Sequence, residues 1–485
     1  MENTNSVQFF SGENIPLEMH KVRMVQRLHL PTVEDRLRAM QAAGNNTFLL
    51  RNRDVYLDML TDSGVNAMSE AQYAAMMMAD DSYAGSETFF RLSDALHEFF
   101  GKDYFLPAHQ GRAAENIIAS AFVKPGDITP MNYHFTTTKA LITRMGGTVV
   151  EVFSEDALDS SVIKPFKGDL NMEKLEACVQ AAGASKISFV RIEAGTNLIG
   201  GQPVSLQNMR AVSKFCRAKG IPLVFDASLL ADNLFFIKTR DAECADKTLG
   251  AIVHELSELM DIIYFSARKL GCARGGGIVT SDKALYEAMR EFVPLFEGFL
   301  TYGGMSVREM EAMAVGLRET LDLEVINQTP MFIAALGEAL QQKGVPVVTP
   351  FGGLGCHVDA SRFVEHIPQS QYPAGALGAA IYLAGGIRGM ERGTLSEQRR
   401  PDGSETFSEM ELVRLAVPKR VFTLSQIKFV ADRVGWLYEN RNLIGGLTFE
   451  EEPSTLRFFF GRLRPIGDWQ EKLAAKFLAD MPNGL

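Results

Sequence analysis

Residues 221–228, IPLVFDAS, and residues 261–269, DIIYFSARK, decide how this chain is read. Each opens on an apolar run too short for a helix and closes on polar residues. That is the pattern of a strand covered on both faces in a parallel sheet. The polar ends, Asp226 and Ser266 to Lys269, then fall at the carboxyl edge, where open α/β sheets bind ligands.

Working outward, the same alternation recurs on both sides. Residues 104–120, YFLPAHQGRAAENIIAS, predict a short strand, a tight turn at Gly111 and a helix. Short apolar runs (ITPMNYHF, GTVVEVF, KISFVRIEA) then alternate with helices near 139–145 and 172–181, and a further helix starts near Ser205. CARGGGIVTS after Lys269 predicts a glycine-rich turn and a return strand. Repeated strand–helix units with glycine turns predict an α/β fold with a mostly parallel sheet.

Amphipathic helices over 307–341 lead into a second, smaller α+β domain containing VPVVTP, HVDA, EMELVRLAVPKRVF and a helix near 470–479. The expected division is 1–60 as an amino-terminal arm and part of the small domain, 61–325 as the large domain, and 326–485 as the small domain. Thr32 predicts the N-cap of a short helix in the arm, and 49–60 a strand with a turn. An arm this apolar must pack on its own carboxyl-terminal domain or on another subunit.

With 485 residues, 46% hydrophobic and 22% charged, the chain has the composition of a folded protein large enough for two domains. The net charge of −10 and the lack of a basic block argue against a nucleic-acid partner. No secretory signal or 18-residue apolar window is visible, so no membrane partner and a cytoplasmic location are expected. Five scattered cysteines lack zinc-ligand spacing and read as thiols in a reducing compartment.

The chemistry begins with the pair Asp226 and Lys269. An amine able to form a Schiff base, with an acid able to face a ring nitrogen, is what pyridoxal phosphate requires. Taken singly, the two residues also fit a solvated strand end and a loop lysine. The phosphate of such a cofactor needs a cradle, which the turn at Gly111 supplies with free backbone N–H groups and Arg112 beside them.

Tyr83, HQGRAAEN, NLIGGQPVS, FDAS, SARK and VRLAVPKR occur in the order found in the aromatic amino acid β-eliminating lyases, and the chain closely resembles that family over residues 48–460. The resemblance implies the aspartate-aminotransferase-type fold, pyridoxal 5'-phosphate as cofactor, an amino acid substrate, and a homotetramer built from catalytic dimers. It implies that Gln110, Gly111, Arg112 and Ser266 hold the phosphate, and that Phe135 stacks on the ring. Asn197 and Asp226 would touch the ring oxygen and nitrogen. Lys269 would form the Schiff base and take the α-proton, and Tyr83 would protonate the leaving carbon in its own or a neighbouring subunit.

By the same resemblance Arg414 grips the substrate carboxylate, and Thr61 belongs to the substrate site. Thr136 and Arg392 match the pair that reads a phenol hydroxyl in the tyrosine phenol-lyase branch. The tryptophanase branch lacks that arginine, and no histidine follows His366, so a phenolic ring is favoured over indole. Phe299, Phe458 and Phe459 are candidates for the apolar wall of the pocket or for ordinary core packing.

Three positions depart from the family pattern. Leu229 stands where an arginine approaches the cofactor's phenolic oxygen, and Leu270 replaces an acid. Arg274 replaces an asparagine of a potassium site to which Gly64 and Asp81 also belong. Arg274 is expected to pair with Asp81 in place of the ion. The reading favoured is a lyase acting at Cβ of an aromatic, phenolic L-amino acid through aldimine, quinonoid and aminoacrylate intermediates. The alternatives are β-substitution, transamination or another side-chain cleavage, and a non-catalytic homologue.

Overall fold

A computed structural model describes residues 6–484; residues 1–5 and 485, which the sequence reading includes in the outer segments, lie outside the described residues. The chain divides into two compact units. One comprises Ser63–Ala157 and Lys164–Asn327, and the other Met1–Asp62, Leu158–Ile163 and Gln328–Leu485. Among the described residues no helix is long and apolar enough to cross a membrane.

The first unit is built on seven strands: β1 (Tyr104–Ala108), β2 (Ile128–Met131), β3 (Thr148–Glu151), β4 (Val190–Glu193), β5 (Leu223–Asp226), β6 (Ile262–Ser266) and β7 (Gly276–Thr280). Their order is β1-β7-β6-β5-β4-β2-β3. Strands β6, β5, β4, β2 and β3 run parallel, and β7 is antiparallel to both β1 and β6. All residues of β4, β5 and β6 are buried, as expected of central parallel strands.

The return strand is glycine-rich for a steric reason. A Cβ on Gly276 would fall 3.0 Å from the Gln110 carbonyl carbon and 3.2 Å from the Gly111 nitrogen. Without that Cβ the turn before helix α1 (Gly111–Phe122) lies directly against the sheet. Helix α1 buries Ala113, Ala114, Ile117 and Ile118 in the same core as Leu106, Tyr264 and Ile278. Each isoleucine contributes about 1.5–3 kcal/mol by leaving water.

In the second unit, β8 (Gly355–Asp359), β9 (Met390–Arg392) and β10 (Leu412–Ala416) form an antiparallel sheet in the order β8-β10-β9. The amino-terminal arm enters this unit's core: Met40, Leu57 and Met59 are buried with Phe332, Leu377, Val413 and Val434. The arm thus packs on its own carboxyl-terminal part. The helix predicted after Thr32 spans Val33–Ala42, with the Thr32 side chain accepting the Asp35 N–H.

Residues 49–60, read as a strand with a turn, instead begin at the end of a 3-10 turn (Thr47–Leu49) and form a second one, Asn52–Asp54, and a two-residue strand, Leu57–Asp58, paired with Ile387–Arg388. The polar run from Arg51 to Asp54 interrupts the apolar pattern. Leu158–Ile163, which the sequence places inside the large domain, groups with the second unit. Ser160 is the tie: its carbonyl accepts the Thr349 N–H and its hydroxyl donates to Asp359.

Candidate functional site

In the first unit the register places Glu193 beside Asp226 and Asp226 beside Tyr264, a lateral row across β4, β5 and β6. Ser266 closes β6, and Lys269 follows in the next turn, half-buried, with its backbone N–H donating to the Ser266 carbonyl at 3.1 Å. Asp226 and Lys269 therefore follow adjacent parallel strands at the same carboxyl edge. Asn197 is buried in the turn after β4, and its N–H donates to Glu193 Oε1 at 3.1 Å.

Helix α1 begins at Gly111 after an extended Gln110 and has no side-chain cap. A Cβ on Gly111 would sit 2.9 Å from Ser266 Cβ, so only glycine lets the helix start and the serine share one cradle. The Ser266 hydroxyl and the Arg112 guanidinium make no hydrogen bond or ion pair among the described residues. Arg268 lies within electrostatic reach of Arg112 and Arg274. Burial and then the repulsion of these two arginines push the Arg268 guanidinium below its ordinary range. Uncapped helix N–H groups and convergent guanidiniums attract a phosphate dianion.

The donor set thus fits pyridoxal phosphate: phosphate donors at Gly111, Arg112 and Ser266, an acid at Asp226 and an amine at Lys269. Phe135 and Thr136 lie at the start of helix α2 (Thr136–Arg144). The Thr136 hydroxyl is buried without a hydrogen-bond partner among the described residues, a state that costs about 1–3 kcal/mol until something bonds to it. Gly111→Ala is expected to weaken retention of pyridoxal phosphate about 10-fold or more through the loss of one charge-assisted hydrogen bond. Equilibrium dialysis of the cofactor checks this.

Asp226 is only 6% exposed, and it is held by three donors. Its Oδ2 accepts from Arg191 Nη2 at 2.6 Å and from the Tyr264 hydroxyl at 2.9 Å, and its Oδ1 accepts the Ser228 N–H at 2.9 Å. Arg191, 1% exposed, also donates to Glu193 Oε2 at 3.0 Å and lies 3.9 Å from Glu115 Oε1. Burial pushes the Glu115 and Glu193 carboxyls up, with Arg191 opposing it. Sequence reading passed over Arg191, Glu193, Glu115 and Tyr264. The available signal was two charges in alternation, Arg191 and Glu193, within an otherwise apolar strand.

Tyr83 is 72% exposed and lies against Phe299 and Tyr302, with ring centroids at 5.9 and 5.4 Å. Its hydrogen bond with Tyr302 holds the phenol above its ordinary range. The expected pairing of Arg274 with Asp81 is not present. Arg274 meets Glu309 instead, through its backbone N–H at 2.8 Å and its guanidinium at 3.6 Å. Asp81 is exposed and has no ion pair among the described residues. Glu309, in the first turn of Val307–Glu319, accepts the Arg274 N–H and pairs with its guanidinium by charge. The Gly64 N–H donates to the Arg268 carbonyl at 2.9 Å, and the Arg268 guanidinium occupies the space a Gly64 side chain would need. Leu270 and Leu229 are both buried.

In the second unit Arg414 and Arg392 are buried on neighbouring strands β10 and β9. Arg414 is 2% exposed and donates to the Leu60 carbonyl at 2.7 Å. Burial, and then the charge of Arg392, push Arg414 well down, while Asp62 opposes this. His357, which the sequence reading did not single out, pairs with Arg414 across β8 and β10. Burial, then Arg414 and Arg392, push its imidazole down to about 3, so it stays neutral. Thr61 is half-buried. Phe458 lies in this unit's core, and Phe459 packs beside it, each edge-on to Phe48.

Next to Arg392, Glu391 is buried, and burial followed by the charge of Glu411 pushes its carboxyl up to about 8. The folded chain therefore holds this proton more tightly than the unfolded chain. The stability is fully present below the ordinary glutamate range and is lost as pH rises toward 8, by at most about 5 kcal/mol. Glu391→Gln is expected to flatten that decline, as read by urea unfolding at pH 5 and pH 8.

Residues 58–433 match the family model described as beta-eliminating lyase. The chain is 42% identical to a tyrosine phenol-lyase of Pasteurella multocida, covering 93% of this chain and 99% of that one. It is also 42% identical to one of Symbiobacterium thermophilum, covering 93% and 98%. Among solved structures, a serine palmitoyltransferase of Sphingomonas wittichii superposes with a TM-score of 0.55 at 15% identity, covering 80% and 88%. An SPT variant solved with PLP gives 0.59 at 14% identity, covering 85% and 98%. These structures share the fold of the chain.

Proposed function

This chain belongs to the beta-eliminating lyase family, and from that premise we propose that it cleaves the Cβ–Cγ bond of a phenolic L-amino acid, L-tyrosine being the first to test. It is a pyridoxal-phosphate-dependent carbon–carbon lyase acting at Cβ of an aromatic amino acid. The observation that carries the phenolic reading is the buried Thr136 hydroxyl, which has no bonding partner among the described residues.

Pyridoxal phosphate, when bound, supplies the electron sink that lets bonds at the substrate Cα and Cβ break. Gly111, Arg112 and Ser266 would anchor its phosphate, and Asp226 would face its ring nitrogen. Lys269 would hold the aldehyde through its amine and would take the α-proton of the substrate. Arg414 grips the α-carboxylate, since a planar fork matches it bidentately. An incoming anion also relieves the repulsion between Arg414 and Arg392.

Thr136 and Arg392 would bind the phenol hydroxyl by hydrogen bonds, the guanidinium stabilising negative charge on that oxygen while it keeps its own proton. Tyr83 would deliver a proton to the ring carbon as the carbon–carbon bond breaks, a proton that an ordinary phenol carries at neutral pH and that the bond with Tyr302 holds more tightly still. With one water consumed, L-tyrosine yields phenol, pyruvate and ammonia. The same reading places the enzyme in the cytoplasm as a homotetramer of catalytic dimers, which light scattering tests as four chain masses.

A second reading, β-substitution or transamination, is favoured by Leu229, a buried apolar side chain against Gly195 in the turn that leads to Asn197. Products separate the two. Equal phenol and pyruvate from L-tyrosine support elimination, and a keto acid that retains the ring means transamination. A borohydride-stable label on Lys269 tests the cofactor assignment.

A further inference from the structure

We propose that Arg191 is a positioning residue that, acting through Asp226, keeps the proton on the ring nitrogen of the bound cofactor. The inference rests on the reading of Asp226 as the acid facing that nitrogen, and it names the group that makes a buried anion tolerable there.

An acid opposite a pyridine nitrogen offers two sites for one proton. On nitrogen, it leaves a carboxylate facing a pyridinium, and the ring withdraws electrons. On the acid, the pair is neutral and the sink is weak. Burial favours the neutral arrangement, because an uncompensated carboxylate is costly in low dielectric. A guanidinium 2.6 Å from Asp226 Oδ2 reverses that preference. It bonds on Oδ2, while Oδ1 takes only the Ser228 N–H among the described residues.

Arg191 is one cation among three carboxyls, so the claim depends on which carboxyl is the anion. The hydrogen-bond count shows that either Asp226 or Glu115 carries a proton, and the guanidinium, 2.6 Å from Asp226 and 3.9 Å from Glu115, selects Asp226 as the anion. The Tyr264 hydroxyl accepts from Arg191 Nε at 2.9 Å and lies 2.9 Å from Asp226 Oδ2 and 3.0 Å from Glu115 Oε1. One phenol hydrogen serves one of those two contacts. The other needs a hydrogen from a carboxyl.

Glu115 is the carboxyl that supplies it. Helix α1 buries it, and the Thr137 and Thr138 hydroxyls bond its oxygens at 2.8 and 2.6 Å without bringing a charge. Burial pushes its carboxyl up. A protonated Glu115 donates to Tyr264, Tyr264 donates to Asp226, and Arg191 donates to Asp226. Every contact is then satisfied with Asp226 as the anion. Glu193, on the far side of the guanidinium, is also pushed up by burial.

The test uses the holoenzyme loaded with cofactor labelled with 15N in the ring, as wild type, Arg191→Met, Arg191→Lys and Tyr264→Phe. The wild type is expected at the 15N shift of a protonated ring nitrogen. Arg191→Met moves toward the unprotonated shift, Arg191→Lys stays near wild type because the ammonium keeps the charge, and Tyr264→Phe moves partway. An Arg191→Met protein that binds cofactor with the wild-type shift would overturn the inference. Should Arg191→Met fail to fold, Arg191→Gln, which keeps an N–H donor but no charge, is read in its place, with the same expected shift and the same overturning result. Wild type without a label on Lys269 would remove the cofactor reading and this inference with it, whereas a loaded wild type already at the unprotonated shift removes the inference alone.

Discussion

Lys269→Ala is expected to lower turnover of L-tyrosine by at least about 10⁴-fold, because one side chain is removed from both the covalent attachment and the proton transfer. The fold should survive. The bond that sets the turn runs from the Lys269 backbone N–H to the Ser266 carbonyl, and the buried Leu270 and Ser266 on either side are untouched. The variant is expected to bind pyridoxal phosphate reversibly through Gly111, Arg112 and Ser266, and to leave no borohydride-stable label. Mass spectrometry of the reduced protein and a pyruvate assay read both parts. A variant that still releases pyruvate within tenfold of wild type would remove Lys269 from the chemistry.

Asp226→Asn is expected to damage stability and activity together. The amide keeps the size of the side chain but removes the negative charge, leaving Arg191 buried against neutral groups, and breaking a buried pair from one side costs about 3–5 kcal/mol. The amide NH₂ also competes with the Tyr264 hydroxyl and the guanidinium, which donate to the same position in the wild type. With no anion facing the ring nitrogen, turnover should fall by about 10²-fold or more. Thermal unfolding of the apoprotein isolates the first effect, and kcat of the loaded enzyme the second. An Asp226→Asn apoprotein as stable as wild type would mean that Arg191 draws its compensation from Glu193.

Much of the candidate site was legible in the sequence because its parts sit at element ends. Asp226 and Lys269 follow apolar runs, and Gly111 opens a helix, so local pattern reached them. Arg191, Glu193 and Tyr264 lie inside strands, where the pattern announces only burial. Their meaning depends on register, which puts Glu193 beside Asp226 and Asp226 beside Tyr264. Arg274 shows the converse failure. Charge logic required an acidic partner for it, but geometry chose Glu309, whose helix delivers a carboxylate to both its N–H and its guanidinium.

By itself, the order of apolar runs, glycine turns and polar strand ends determined a mostly parallel α/β sheet with its chemistry at one edge. Those features are periodic along the chain, and each depends on neighbours a few residues away. Only the tertiary structure decided that one guanidinium would be shared among three buried carboxyls, and that the amino-terminal arm would enter the core of the carboxyl-terminal unit. The energy of a buried charge is fixed by the groups within a few ångströms of it, and here those groups come from three strands and a helix far apart in sequence.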